Sequence, residues 1–147
     1  MCFPLLRYSG HSNLGGLIGS AVNTSVHNVH VTGENVIVEG VHKIGGLIGS
    51  LTVDNSNSVQ ITNSSSNLAI TGQSQVGGMI GEVSVQNGST LTFDTVSSSA
   101  LLSGETYLGG LIGFADNMGT LSFSKSVSSG QINGSALLGG HIGGISN

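Results

Sequence analysis

The sequence predicts an all-β fold, a β-solenoid of about four three-stranded coils, and three observations predict it. The first is a repeated hexapeptide, Leu14-Gly15-Gly16-Leu17-Ile18-Gly19, which returns at Ile44, Val76, Leu108 and, altered, at Leu138. Its leading glycines, Gly15, Gly45, Gly77, Gly109 and Gly139, stand 30, 32, 32 and 30 residues apart. A period of this size marks stacked supersecondary units, none of which buries its apolar face alone. The second is apolar alternation at spacing two, the mark of a half-buried strand. The third is the absence of any helical stripe.

Composition agrees. Among 147 residues there are 25 glycines, one proline, no tryptophan and 7% charged residues, with serine, threonine and asparagine in the polar positions. Disordered chains are poor in Val, Ile and Leu, in which this chain is rich, so it can bury a core. No window reaches the roughly 18 apolar residues of a membrane-spanning helix. Three basic residues, Arg7, Lys43 and Lys125, face seven acidic ones, too few to neutralise a phosphate backbone, so nucleic acid is disfavoured as a partner. Cys2 is the single cysteine and forms no internal disulfide. Met1 to Leu6 is too short an apolar run for a signal peptide.

In chain order, each period first shows the glycine motif, whose apolar residues open a strand. Coils are expected to begin near Leu14, Ile44, Val76, Leu108 and Leu138. A middle strand follows, Val29-His30-Val31-Thr32, Val59-Gln60-Ile61-Thr62, Leu91-Thr92-Phe93-Asp94 and Leu121-Ser122-Phe123-Ser124, where alternation is strict. A third strand ends at a glycine five residues before each pair: Gly10, Gly40, Gly72, Gly104 and Gly134. Stacked coils then align Val29, Val59, Leu91 and Leu121, with Val31, Ile61, Phe93 and Phe123 beside them. Tyr8, Val38, Ile70, Leu102 and Ile132 line the third face. The first repeat is shorter before Val36 and the fourth between Gly113 and Leu121, as expected of corners. Turn formers gather at Asp54 to Asn57, Gln86 to Ser89 and Ser64 to Asn67. Corner glycines are expected to supply φ > 0 and close approach of stacked backbones. Residues 1–147 read as a single repeat domain. The chain opens inside a third strand and stops just past the fifth motif, so it is expected to be a fragment of a longer solenoid.

The (Leu/Ile/Val)-Gly-Gly-(Leu/Met)-Ile-Gly core, with a further glycine five positions before the pair and a step near thirty, resembles the GLUG repeat. The resemblance runs from about Leu6 to Gly143. That family, named for its glycine-leucine-glycine signature, occurs in long surface and secreted proteins, including bacterial adhesins, some IgA-specific peptidases and repeat-rich proteins of protists. The resemblance therefore implies an extracellular or cell-surface repeat region. In the peptidases the repeats are separate from the catalytic domain, so no enzymatic activity carries over. His141 departs from the pattern by replacing the motif leucine.

No residue pattern points to catalysis, a cofactor or a metal. The glycine motif lacks the lysine and Ser/Thr of a P-loop and the spacing of a dinucleotide site. Glu34, Glu39, Asp54, Glu82, Asp94, Glu105 and Asp116 fall in different columns, whereas glycoside cleavage needs a facing pair. His27 and His30, three apart in an extended stretch, are expected on opposite faces without a third ligand. Two arrangements of the motif remain open. Strict alternation puts Ile18, Ile48, Ile80, Ile112 and Ile142 outside as an apolar contact stripe. A bend at the double glycine buries both columns instead, and is the favoured arrangement. The outward ranks His30, Gln60, Thr92, Ser122 and Thr32, Thr62, Asp94, Ser124 are too mixed for a regular ice-binding Thr-x-Thr array. Asn23, Asn63, Asn87 and Asn133 begin glycosylation sequons. The expected function is a non-enzymatic structural or adhesive segment of a surface or secreted protein, contacting host or neighbouring cell-surface glycans or proteins and the flanking repeats of its own chain. Alternatives are an accessory region of a secreted peptidase or other hydrolase, and a glycan- or ice-binding solenoid.

Overall fold

The computed structural model describes residues 6–33 and 36–146, and these form a β-solenoid of about four turns. The strands pair in parallel from coil to coil, those of the inner coils with counterparts above and below and those at the ends of each sheet with one. Four sheets run the length of the stack, where the sequence suggests three. Sheet A comprises Leu6–Ser9, Val36–Glu39, Ala69–Thr71, Leu101–Ser103 and Ile132–Asn133; sheet B comprises Ser12–Gly15, His42–Gly45, Ser74–Gly77, Thr106–Gly109 and Ala136–Gly139. Sheet C comprises Ile18–Val22, Ile48–Val53, Ile80–Val85, Ile112–Asn117 and Ile142–Ser146. Sheet D comprises Val26–His27, Ser58–Ser66, Thr90–Ser98 and Thr120–Ser124, with His30–Val31 and Val127–Ser128 pairing on its far half.

The additional sheet, B, escapes a reading by alternation for a local reason. Each of its strands holds a left-handed residue at its second position: Asn13, Lys43, Gln75, Tyr107 and Leu137, with φ between 53° and 58°. The pairing skips these residues, so a strand shows one inward apolar side chain rather than two. That side chain, from Leu14 through Ile44 and Val76 to Leu108, packs against the sheet A column of Val38, Ile70 and Leu102, while Leu138 in the last coil continues the column but is exposed. Sheets C and D enclose a second apolar cluster, and Val31 packs against both.

The motif bends where its glycines predict. Leu47 N and Ile48 N both donate to the carbonyl of Met79, at 2.8 and 3.1 Å, and the neighbouring coils repeat this double donation. Two successive amides aimed at one carbonyl turn the backbone sharply, so consecutive side chains enter the interior. Leu47, Met79 and Leu111 are buried, and so are Ile48, Ile80 and Ile112, each at 0% exposure. Ile18 and Ile142, in the end coils, are half-buried and pack against the same cluster. The exposed isoleucine stripe is therefore corrected to a core column. The altered motif keeps the backbone arrangement, since the carbonyl of His141 receives both Leu111 N and Ile112 N at 2.9 Å.

Close approach is what the motif glycines provide. A Cβ on Gly78 would run into Ser98 Oγ and the carbonyl oxygen of Gly110. The serine column Ser66, Ser98 and Ser128, joined by Val31 in the first coil, thus nests against the second glycine of the first four pairs, Gly16, Gly46, Gly78 and Gly110. Positive φ is supplied elsewhere: Gly88 is the one described glycine with it, and the other left-handed positions hold Asn, Ser, Thr, Lys, Gln, Tyr or Leu.

The predicted ladders hold in sheet A from Tyr8 to Ile132 and in sheet D from the second coil onward. Phe93 and Phe123 stack with centroids 4.9 Å apart, a geometry worth about 0.5–1.5 kcal/mol beyond burial. The first coil departs from the expectation. Val26, not Val31, pairs with Ile61, and Val31 pairs with Ser66. The cause is the position of the deletion: Val26 follows Ile18 by eight residues where Ile61 follows Ile48 by thirteen. The first coil therefore lacks the turn made by Asp54 to Asn57, rather than residues just before Val36. In the fourth coil the shortening falls where predicted, at Met118 and Gly119.

Candidate functional site

The polar groups singled out in the sequence are dispersed or paired. Arg7 Nη1 lies 3.3 Å from Glu39 Oε2 on the exposed face of sheet A. Glu82 receives Lys43 Nζ at 3.0 Å on one oxygen and Gln75 Nε2 at 2.7 Å on the other. Asp54 Oδ1 accepts from Asn23 Nδ2 at 2.7 Å and Asn55 Nδ2 at 2.9 Å, bracing the turn into sheet D. Asp116 Oδ1 accepts from Ser146 Oγ at 3.2 Å. Asp94 and Glu105 sit in other columns, and Glu34 lies outside the described residues. Among the described residues no three His, Cys, Asp or Glu side chains gather where they could hold a metal.

His27 and His30 depart from the expected opposite faces. Asn28 between them has φ 58°, which resets the alternation, so both histidines face outward. His27 Nδ1 lies 2.6 Å from Thr62 Oγ1, and His30 Nδ1 lies 2.7 Å from Ser65 Oγ. Gln60, Thr92 and Ser122 form the outward rank expected of them, while His30 belongs to the Ser65 rank. Of the sequon asparagines, Asn23 is engaged by Asp54 through both side-chain atoms, and Asn63 donates to Asn28 Oδ1 at 2.7 Å. Asn87 and Asn133 are exposed.

The reset at Asn28 repeats in the next three coils and creates a concavity on the molecule's outer face. Asn28, Asn63, Thr95 and Lys125, with φ of 58°, 46°, 55° and 46°, form a left-handed column down the middle of sheet D. Each strand therefore places two neighbouring side chains outward, Thr62 with Asn63 and Asp94 with Thr95, before its far half turns away. The groove between the column and the next outward rank has a volume of about 300 Å³. Asn63, Thr95 and Lys125 line one side and His30, Ser65, Ser97 and Val127 the other, with Ser64 and Val96 between them. Left-handed backbone is common for Asn but an outlier for a β-branched residue such as Thr95, and strained residues of this kind cluster at functional sites.

Sequence reasoning missed this groove because its signal is weak. A break of parity after Ile61 and Phe93, with Asn in two of four coils, is the one trace that alternation analysis could have caught.

A family model for the GLUG motif matches residues 10–37, close to one full period of the chain. No curated protein and no solved structure matches it.

Proposed function

From a chain that carries the GLUG motif, we propose a non-enzymatic structural or adhesive repeat segment of a cell-surface or secreted protein. The observation that supports this most is the continuity of the four sheets. Each coil adds one layer of about 4.8 Å and one more row of outward hydroxyl and amide groups, so the fold builds length and a regular polar face together. Such a body projects from a surface and offers repeated weak contacts, which multiply in avidity when many rows engage at once. Its partners in this reading are glycans or proteins of host or neighbouring cells, and the flanking repeats of the same chain. The carboxylates support a role without bond cleavage, since those with partners are committed to Arg7, Lys43, Gln75, Asn23, Asn55, Thr95 and Ser146. No helix among the described residues is long and apolar enough to cross a membrane.

Antibody raised against the chain tests location first: labelling of intact source cells or their medium is expected, and labelling only after permeabilisation overturns the reading. Beads coated with the chain test adhesion. They are expected to bind cells of a neighbouring or host type above beads coated with a heat-denatured control.

A further inference from the structure

We propose that the groove along the middle of sheet D binds an acidic oligosaccharide laid parallel to the solenoid axis. This rests on the adhesive reading and names the ligand class of the site described above.

Four observations converge on it. The walls repeat once per coil, so the groove fits an extended polymer rather than a compact ligand. Its polar groups are hydroxyls and amides from Asn63, Ser65, Thr95 and Ser97, which match sugar hydroxyls in both donor and acceptor capacity. Lys125 gives it a cation. Arg7 and Lys43 are each within 3.3 Å of a carboxylate, whereas Lys125 has no acidic partner among the described residues and is exposed on the groove wall. Finally, the strands at mid-groove, Ser58–Ser66 and Thr90–Ser98, are paired on both sides, so a ligand lying along the groove meets side chains there, free strand edges being confined to the end coils of the sheet. A peptide adding to a sheet needs such an edge.

Charge sets the direction of the ligand. Asp94 stands one residue before Thr95, and Thr95 Oγ1 donates to it at 3.4 Å. A ligand carboxylate is therefore disfavoured at mid-groove and drawn to the Lys125 end, with sugar hydroxyls along Asn63 and Ser65 toward His30.

Calorimetric titration of the full chain with a hexameric oligouronate, its carboxyl-reduced neutral counterpart and a hexaglutamate peptide tests this. The oligouronate is expected to bind at least tenfold more tightly than either. Lys125→Gln should erase its advantage over the neutral sugar, while Arg7→Gln, which removes the same charge from sheet A, should leave that advantage intact. Ser97→Ala should weaken both sugars alike. Equal binding of acidic and neutral sugars, equal binding of the peptide, an Arg7→Gln effect matching that of Lys125→Gln, or no binding of the oligouronate each overturns the proposal. Oligouronate competition in the bead assay separates this from the broader reading: adhesion that persists at saturating oligouronate leaves the segment adhesive and removes the ligand class.

Discussion

At the scale of single residues, two glycines of the same motif position should respond unequally to an added methyl group. Gly78 lies against Ser98 and a backbone carbonyl that cannot retreat without parting two coils. Gly78→Ala is therefore expected to cost about 3 kcal/mol or more, read as a fall in the urea midpoint. Gly140, in the end coil, has nothing within 4 Å of its would-be Cβ, and Gly140→Ala should stay within about 0.5 kcal/mol. Equal costs would show that the glycines serve chain flexibility rather than close approach. The left-handed column makes a complementary case. Thr95 holds φ 55° at a cost of roughly 1–2 kcal/mol for an ordinary side chain, a cost Asn carries more easily. Thr95→Asn should raise stability by about 1 kcal/mol and lift the melting temperature by a few degrees.

Among elements, what could be read in advance was whatever alternation expresses. The sheet A column from Tyr8 to Ile132 and the sheet D column of Ile61, Phe93 and Phe123 follow from apolar residues at spacing two. Sheet B did not, because a left-handed residue at Lys43 or Gln75 leaves one inward side chain per strand and nothing for a period to register. The groove escaped for the same reason, since Thr95 and Lys125 carry no preference for the conformation they adopt. Val26 was missed because two alignments of the first coil satisfy the apolar pattern, and only the absence of the turn at Asp54 to Asn57 decides between them. Corners that differ in length between coils should tolerate being made equal. Ile80 and Phe93 are thirteen residues apart and Ile112 and Phe123 eleven. Deleting Asn87 and Gly88 should cost on the order of 1 kcal/mol or less by equilibrium unfolding. A loss of folding would mean that the closure from Ser89 N to Gln86 O, at 2.9 Å, fixes the stacking of the coil and not merely its turn.

For the whole molecule, strands contact others of their own coil and of adjacent coils, so stability is a sum of local layers rather than the property of one centre. Core residues of the second and third coils, such as Ile48, Ile61, Ile80 and Phe93, are at 0% exposure, whereas Leu17 in the first coil and Leu138 in the last are 49% and 46% exposed. Hydrogen exchange should therefore be graded, slowest in Ile48–Val53 and Ile80–Val85 and fastest in Leu6–Ser9 and Ala136–Gly139. Uniform protection would indicate a single cooperative unit instead.

The stacking of sheets whose hydrogen bonds all point along one axis has a mechanical side. Tension applied along that axis loads the bonds of one interface in peeling rather than shear, so the weakest interface opens alone while the rest hold. Each rupture would release a coil of about thirty residues, roughly 100 Å of slack at full extension, and relax the load before the next yields. A tether built this way would dissipate a pull in equal steps, giving under force and re-stacking when the force falls.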